Sequence, residues 1–583
     1  MALTDEQEAA VSLFQHAKSL KISAFAGTGK TTTLTAIGNS TRRSGVYLAF
    51  NKSIATEASS KFPRTVDCRT THSLALRSLP RQYRDNKAKI FDGLQGNRVA
   101  HLLDLEELAI GDVLLKPRSL GYITAKTIQR YCQSGSQEIL RSHVPLSGKL
   151  QALNPSDREQ FENYLAKLAA HLWDRMLDPQ DTAPLGHDGY LKLWSLNRPE
   201  MQYDFILLDE AQDTNEAVLS VLTKQDAQLT LVGDRHQQIY EWRGAVNAMA
   251  KVETAAESAL TQSFRFGPEI ADIANRILSD LKEARTLTGN PGISSKITTH
   301  GRTRAVLCRT NVGVIEVTLA ALKRNERPHV VGGVAELVRM LEDVTRLKRQ
   351  VPAETPDLFG FTDWDEVVEF ADSEDGESLR TFVTIVNQNG ERALIRALED
   401  VCDNESVADL IVSTGHKAKG REWASVTLHT DFEPKKRSKE DPNKLLLNVE
   451  ETRLLYVAST RPQQLLVVPS RLATAWGLQG ASPGIGSETG AVAEPSKRSA
   501  PPLRTHTPRP ELPAIAKVVK SPAASPAVGV GVGRKEAAPA PRTIPVQRQA
   551  VQGTSRTYTP PPAAPTEQTG FFASVFKAMF GRK

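Results

Sequence analysis

A glycine-rich segment near the start of the chain, AFAGTGKTTTL, has the residue types of a phosphate-binding loop. Gly27 and Gly29 allow backbone N–H groups to close around phosphate oxygens. Lys30 can then reach the β- and γ-phosphates, and the Thr31 hydroxyl can bind Mg²⁺. Ala24 stands where the pattern GxxxxGK[ST] has its first glycine, so a chance glycine-rich turn is the alternative for this segment taken alone.

A second segment, FILLDEAQD, can complete such a nucleotide site. Four apolar residues lead into Asp209, which can hold Mg²⁺ directly or through water, and Glu210, which can polarise an attacking water. Paired acids after an apolar run could instead mark the solvated start of a helix. The phosphate-binding segment upstream in the same chain favours the catalytic interpretation, with Mg²⁺ beside the nucleotide.

The elements that must position these residues follow from the hydrophobic pattern. Short apolar or β-branched runs alternate with longer helical patterns, which is typical of α/β folds with parallel sheets. Eight runs are predicted as strands of two sheets: 22–26, 46–50, 205–208, 229–232, 305–308, 410–413, 426–429 and 465–468. Residues 80–200 contain helical patterns such as FENYLAKLAAHLWDRML, so we expect an inserted helical subdomain there.

The composition of the 583 residues excludes several classes of protein. No apolar run approaches the roughly 18 residues of a membrane span, and the start, MALTDEQEAAV, lacks the basic and apolar stretches of a secretory signal. We therefore expect a cytoplasmic protein. The cysteines are far apart in sequence, so we expect no cysteine-held metal: Cys68, Cys132, Cys308 and Cys402.

The composition changes near residue 475, where a Pro- and Ala-rich basic tail begins. The tail holds 16 of the 33 prolines, and we expect residues 476–568 to be disordered. Phe572, Phe576 and Phe580 are spaced four apart, which predicts a short amphipathic helix over 569–583. A groove on a partner protein is the favoured target of this helix, with the protein's own body or an anionic membrane as alternatives.

Nine segments between residues 3 and 462 resemble, in order, the motifs of superfamily 1 DNA helicases of the UvrD/Rep type. They read LTDEQEAAV, AGTGKTT, YLAFNKSIA, TTHSLA, LLDEAQD, VGDRHQQIYEWRGA, QSFRFGPEI, STGHKAKGREW and LLYVASTRP. Three segments further resemble the helicase core of the F-box DNA helicase family and its bacterial relatives: FNKSIATEA, HDGYLKLWSL and STGHKAKGREW. Because the first motif begins at residue 3, we expect no F-box ahead of this core.

This resemblance implies that the nucleotide is ATP. Gln7 matches the glutamine that reads the adenine edge, and Gln237 matches the one that senses the γ-phosphate. Arg265 and Arg461 match two arginines that reach the γ-phosphate from the second motor domain. The implied catalytic residues are Lys30, Glu210, Gln237, Arg265 and Arg461. The implied metal ligands are Thr31 and Asp209.

Further residues are implied to contact the nucleotide. Phe264 replaces the family's usual tyrosine and keeps a ring for stacking on adenine, while Thr32 stands where many relatives have an arginine. Glu422 matches a residue that contacts the ribose. The full set is Gln7, Ala24, Phe25, Ala26, Gly27, Thr28, Gly29, Lys30, Thr31, Thr32, Phe264 and Glu422.

The resemblance also implies a path for single-stranded DNA. Tyr240, Trp242 and Arg243 match residues on which bases stack and against which phosphates rest. Aromatic faces suit a sequence-independent motor because every base has a π surface. Six more residues match family contacts to the strand: Phe50, Asn51, Thr70, His72, Arg309 and His416. A structural role is the alternative for Trp242 and for the two histidines.

The implied fold is α/β, with two RecA-like P-loop motor domains, inserted helical subdomains and a disordered C-terminal tail. The first motor domain is expected at 1–80 and 200–258, with a helical insertion at 81–199. The second is expected at 259–346 and 405–475. Its insertion, 347–404, is shorter than the corresponding subdomain of UvrD-type enzymes, so regulation through that subdomain is expected to be reduced.

The function implied is that of an ATP-dependent single-stranded-DNA translocase and 3′-to-5′ DNA helicase, acting on single strands and tailed duplexes. The direction follows from the resemblance alone, as does the expected association with the nucleoid. One alternative is a translocase that strips proteins from single strands with little unwinding. Another is a nucleotide-gated DNA-binding module without turnover, which the complete set of catalytic residues disfavours.

Overall fold

The computed structural model describes residues 3–478 except 147, 242–243, 352, 354, 356–357, 359–360, 362, 373–376 and 434–446, and except the side chains of 148, 149, 377 and 378. Two six-stranded parallel sheets form its framework. The first contains β1 (Ser19–Ala24), β2 (Gly45–Ala49), β3 (Val66–Thr70), β6 (Phe205–Leu208), β7 (Gln228–Gly233) and β8 (Ala256–Leu260). The second contains β9 (Lys296–Thr298), β10 (Ala305–Cys308), β11 (Pro328–Val330), β12 (Leu410–Thr414), β13 (Trp423–Leu428) and β14 (Pro462–Val467).

The first sheet has the strand order β3-β2-β6-β7-β1-β8 and is parallel throughout. Its flanking helices are α1 (Asp5–His16), α2 (Lys30–Asn39), α3 (Lys52–Ser59), α4 (Thr71–Ser78), α11 (Glu216–Leu222) and α12 (Ala248–Lys251). Successive residues of β2 enter opposite cores, since Tyr47 packs with α1–α3 while Val46 and Leu48 pack with α4 and the helices beyond it. We call this sheet with its helices the first lobe.

A mainly helical segment lies between β3 and β6. It contains α5 (Arg81–Arg84), α6 (Lys87–Phe91), α7 (Gly96–Leu102), α8 (Pro117–Gln133), α9 (Pro155–Leu177) and α10 (Gly186–Leu196). A small antiparallel hairpin of β4 (Leu108–Ile110) and β5 (Val113–Leu115) interrupts it. The segment has its own buried cluster around Phe161 and Leu165, as the helical pattern of α9 predicts.

The second sheet has the order β11-β12-β10-β13-β14-β9 and is also parallel. Its helices are α13 (Pro268–Asp280), α14 (Asn311–Lys323), α19 (Val449–Ser459) and α20 (Ser470–Ala475). Four more helices lie between β11 and β12: α15 (Ala335–Leu347), α16 (Trp364–Asp372), α17 (Glu377–Asn389) and α18 (Glu391–Glu399). They share one buried cluster with α14, and we call the second sheet with all these helices the second lobe.

The sequence prediction of two parallel sheets is confirmed. All eight predicted strands are present, with ends that shift by up to three residues. Six strands were missed: β3, β4, β5, β8, β9 and β11. Four of the missed strands have only three residues, which is too short for a periodic pattern to stand out. No helix among the described residues has the length and apolar character needed to cross a membrane.

Candidate nucleotide site and nucleic-acid interface

The predicted phosphate-binding loop joins the carboxyl end of β1 to α2, the edge of a parallel sheet where ligands bind. Gly27 and Gly29 both have positive φ, +75° and +76°, so both need the conformational freedom of glycine. A Cβ on Gly27 would lie 2.5 Å from the Ser263 hydroxyl oxygen, and one on Gly29 would lie 2.9 Å from the Gln7 side-chain nitrogen. The loop is therefore tightly enclosed by the polar segments around it.

Lys30 begins α2 and points into a group of carboxylates. Its Nζ lies 3.2 Å from Glu210 Oε1, and both side chains are largely buried. Burial disfavours the charged lysine, but the negative charges of Glu210, Asp234 and Asp209 outweigh that effect and raise its pKa. Lys30 is thus held as an ammonium at the mouth of the loop, the form that binds phosphate.

Asp209 and Glu210 follow β6 directly, beside the loop, as predicted. Asp209 accepts a 2.6 Å hydrogen bond from the Tyr47 hydroxyl, and burial followed by the charge of Glu210 raises its pKa. Burial alone would also raise the pKa of Glu210, but Lys30 and Lys419 outweigh it and lower that pKa. A buried carboxylate with a raised pKa is a suitable ligand for Mg²⁺, because a divalent cation would relieve its unfavourable charge.

The backbone geometry of Glu210 is unusual for a non-glycine residue. Its φ is +51°, in the left-handed region, where strain concentrates at functional sites. Its Oε2 accepts a 2.5 Å hydrogen bond from the Gln212 amide, which fixes the carboxylate beside Lys30. An ionised carboxylate held in this way can take a proton from water.

Gln7 and Phe264 lie together on the other side of the loop. Gln7 caps α1 with Thr4, whose backbone nitrogen donates to Gln7 Oε1 at 3.1 Å. Its side-chain nitrogen is buried and donates to no described residue. The ring of Phe264 is 41% exposed and lies next to Gly29. An unpartnered amide donor beside an open aromatic face fits a purine base.

Arg265 and Glu422 are paired next to Gly27. Arg265 Nε donates to Glu422 Oε2 at 2.7 Å, and its Nη1 donates to the Thr460 carbonyl at 3.2 Å. Glu422 also accepts a hydrogen bond from Gln463. The two residues come from segments 157 positions apart, and the contact brings Arg265 against the second lobe.

Arg461 follows α19 and is only 2% exposed. Its three guanidinium nitrogens donate to the Val457 carbonyl, the Arg421 carbonyl and the Thr460 hydroxyl. Burial, followed by the nearby charge of Arg265, lowers its pKa to about 9. In this structure the predicted phosphate-contacting arginine is thus bound by its own lobe.

Gln237 lies in a short 3₁₀ turn after β7, where Asp234 Oδ2 accepts a 2.8 Å hydrogen bond from its side chain. Its carbonyl accepts a hydrogen bond from Lys419 Nζ at 2.5 Å. The same ammonium pairs with Asp213, whose carboxylate is fully buried. Burial raises the pKa of Asp213 to about 6 despite that partner. Lys419 thus ties the second lobe to two loops of the first.

The remaining predicted nucleotide contacts of this segment lie at the end of β1, in the loop and at the start of α2. Ala24 ends β1, Phe25 and Ala26 are buried behind the loop, and the Thr28 hydroxyl donates to the Phe25 carbonyl at 2.9 Å. Thr31 and Thr32 lie in the first turn of α2, and Thr32 is exposed. Six residues around the site were not singled out from the sequence: Tyr47, Gln212, Asp213, Asp234, Lys419 and Tyr456. Each lies inside one of the quoted motifs, which is the signal that could have found it.

Three of the predicted DNA contacts lie together. The rings of Phe50 and Tyr240 are stacked, with centroids 5.8 Å apart and an interplanar angle of 12°. Tyr240 donates to the His416 carbonyl at 3.0 Å, which joins this pair to the second lobe. Phe50 is 46% exposed, so an aromatic face is open to solvent next to the seam between the lobes.

The other predicted DNA contacts are more dispersed. Asn51 and Thr70 cap α3 and α4 with their side-chain oxygens, at the carboxyl ends of adjacent strands. His72 packs edge-on against Tyr190, and burial lowers its pKa. Arg309 follows β10 and pairs with Glu451. The predicted contacts Trp242 and Arg243 lie outside the described residues.

Two family models match parts of the chain. A family model described as the UvrD/REP helicase N-terminal domain matches residues 3–254, and one described as the UvrD-like helicase C-terminal domain matches residues 333–471.

Individual proteins similar to this chain are also named as DNA helicases. F-box DNA helicase 1 of Gallus gallus is 30% identical over 81% of this chain and 49% of its own length. F-box DNA helicase protein 1 of Schizosaccharomyces pombe is 30% identical over 82% of this chain and 58% of its own length. ATP-dependent DNA helicase PcrA of Leuconostoc citreum is 34% identical over 15% of this chain and 13% of its own. The chain thus spans about half the length of the F-box relatives. It belongs to the UvrD/REP family of helicases.

Proposed function

We propose that the protein is an ATP-hydrolysing single-stranded-DNA translocase and 3′-to-5′ DNA helicase. The observation that carries this proposal is the junction between the lobes. Lys30 and Glu210 pair beside the phosphate-binding loop, and the second lobe reaches the same place through Lys419, which donates to the Gln237 carbonyl. Only three residues after Gln237, Tyr240 stacks on the exposed Phe50. A change at the nucleotide therefore has a short mechanical route to a base-stacking surface.

In the proposed reaction, the loop amides and Lys30 hold the phosphates, while Thr31 and Asp209 would hold Mg²⁺. Glu210 removes a proton from the water that attacks the γ-phosphorus, and ADP departs with the bridging oxygen. When bound there, Mg²⁺ would neutralise charge on the phosphate oxygens. Arg265 and Arg461 stabilise the transferred group when the second lobe closes, which requires Arg461 to exchange a bond within its own lobe for one to phosphate.

The two sheets correspond in this proposal to two RecA-like motor domains, at 1–80 with 200–258 and at 259–346 with 405–475. The insertions are the helical segment 81–199 and the short one at 347–404. ATP draws the lobes together and hydrolysis releases them, so each cycle moves the protein along one strand. Gln7 and Phe264 hold the adenine, and Glu422 reaches the ribose. The place of action would be chromosomal DNA in the cytoplasm.

The implied DNA path runs across the lobe junction. Phe50, Tyr240 and His416 provide its central part, supported by their mutual contacts. Asn51 and Thr70 border it, because they lie at the carboxyl ends of the adjacent strands β2 and β3, next to Phe50. The roles of His72, Arg309, Trp242 and Arg243 rest on the family resemblance. The 3′-to-5′ direction rests on it as well.

A second candidate function is the removal of proteins from single strands with little unwinding. The four helices α15–α18 favour it, because they pack into the core of the second lobe as a small cluster. A subdomain of this size offers little surface for gripping a duplex.

Duplexes with a 3′ or a 5′ single-stranded tail test the proposal. We expect ATP-dependent strand separation of the 3′-tailed duplex only, with Lys30→Ala as the inactive control. Separation of the 5′-tailed duplex alone would overturn the direction. Clearance of a protein filament from single strands without separation of either duplex would favour the second candidate.

A further inference from the structure

Tyr456 is a buried residue of α19 whose hydroxyl reaches out of its own lobe. The hydroxyl oxygen accepts a hydrogen bond from the backbone N–H of Ala26, in the phosphate-binding loop, at 3.3 Å. The hydroxyl donates to Asp234 Oδ2 at 3.0 Å. Ala26 and Asp234, which lie 430 and 222 positions from Tyr456 in the sequence, thus both contact its hydroxyl oxygen.

The Asp234 carboxylate extends this connection. Oδ2 also accepts the 2.8 Å hydrogen bond from the Gln237 side chain, and Oδ1 accepts one from the His236 backbone at 3.0 Å. The backbone nitrogen of Asp234 donates to Gln212, which in turn donates to Glu210. A continuous chain of hydrogen bonds therefore links the loop amide, Tyr456, Asp234 and Gln237.

The direction of each bond in this chain is fixed by chemistry. A backbone amide can only donate, and a carboxylate can only accept, so the hydroxyl must accept from Ala26 and donate to Asp234. Burial, followed by the charge of Asp234, raises the pKa of Tyr456 well above its usual range, so the hydroxyl keeps its proton. The hydroxyl has no freedom to reverse its role.

We propose that Tyr456 is a positioning residue, which sets Gln237 for the reaction when the second lobe is seated against the phosphate-binding loop. The proposal rests on the proposed ATP-driven function. Because α19 belongs to the second lobe, its hydroxyl reaches Ala26 and Asp234 only while the lobes are together. Withdrawal of the second lobe would remove one of the two side-chain partners of Asp234 Oδ2 and free the Gln237 side chain to move.

Tyr456→Phe tests this role because it removes one oxygen and keeps the ring in the core. A matched control is Tyr131→Phe, since Tyr131 is also buried and its hydroxyl donates to the Gln137 carbonyl at 2.9 Å in the helical segment. We expect Tyr456→Phe to lower kcat with single-stranded DNA about tenfold, the effect of one lost buried hydrogen bond in the closed state. The KM for ATP should stay within about threefold, because ground-state contacts remain. Tyr131→Phe should match the parent in both.

A double-mutant cycle with Gln237→Ala separates positioning from packing. If Tyr456 acts through Gln237, the two changes should lower kcat together by little more than the larger one alone. The inference would be overturned if the double variant lost kcat by the product of the two single losses, or if Tyr456→Phe kept the parent's kcat. Equal melting temperatures of the two Tyr→Phe variants serve as the check on folding. A parent protein without DNA-stimulated turnover would instead refute the proposed function itself.

Discussion

Glu210→Gln separates ATP binding from ATP hydrolysis at this site. The substitution preserves the shape of the side chain and removes its charge. In the structure, Glu210 Oε1 lies 3.2 Å from Lys30 Nζ, and Oε2 accepts a hydrogen bond from Gln212 at 2.5 Å. A glutamine can keep one of these contacts through its oxygen, but its amide cannot take a proton from water.

The size of the effect follows from the role assigned to the carboxylate. Loss of a positioned general base lowers turnover by about 10²–10⁴-fold, which corresponds to roughly 3–5 kcal/mol of activation free energy. Nucleotide affinity should change little, because Asp209 and Asp234 still hold Lys30 in its charged form. One negative charge fewer beside the triphosphate should, if anything, tighten binding.

Single-turnover hydrolysis and equilibrium binding of a fluorescent ATP analogue measure the two effects separately. Glu216→Gln is the matched control, because Glu216 lies on the next helix, is 43% exposed and pairs with Lys251. That variant should hydrolyse ATP at the parent rate. A Glu210→Gln protein that hydrolyses ATP within about threefold of the parent would refute the assignment of Glu210 as the base.

Other changes have distinct expected outcomes. Lys30→Ala should abolish ATP turnover without lowering the melting temperature, and retained turnover would argue against a phosphate-binding role. Arg265→Ala and Arg461→Ala should each lower kcat by about 10³-fold or more while nucleotide Kd changes much less; unaltered DNA-stimulated turnover in either would contradict the two-lobe mechanism. Lys419→Ala leaves a buried carboxylate unpaired and should cost about 3–5 kcal/mol of stability in a melting assay. Adding Asp213→Asn should recover part of the lost stability. If it recovers none, the unpaired Asp213 carboxylate is not the cause of the loss.

The sequence predicted the framework of the site well, because local patterns specify it. The predicted runs 22–26 and 205–208 identify two parallel strands, and residues at the carboxyl ends of such strands meet at one edge. Gly27 and Gly29 were expected to shape the loop, and their positive φ angles agree with that expectation. The strand β3, VDCRT, was missed because only its first residue is both apolar and buried.

The contacts between the lobes could not be predicted in the same way. Lys419 and Asp213 are 206 positions apart, and Tyr456 and Asp234 are 222 apart, so no local periodicity relates them. Their pairing depends on how two separately patterned sheets pack together. The hydrogen bonds of Arg461 within its own lobe could not be predicted either, because the motif does not indicate whether this arginine contacts phosphate or the protein backbone.

ATP turnover by the purified protein, measured with and without single-stranded DNA, tests most directly whether one nucleotide site between the lobes drives a DNA motor. We expect turnover to rise severalfold when single-stranded DNA is added and to be absent from Lys30→Ala under both conditions. Equal turnover with and without DNA, or turnover that survives in Lys30→Ala, would contradict this account.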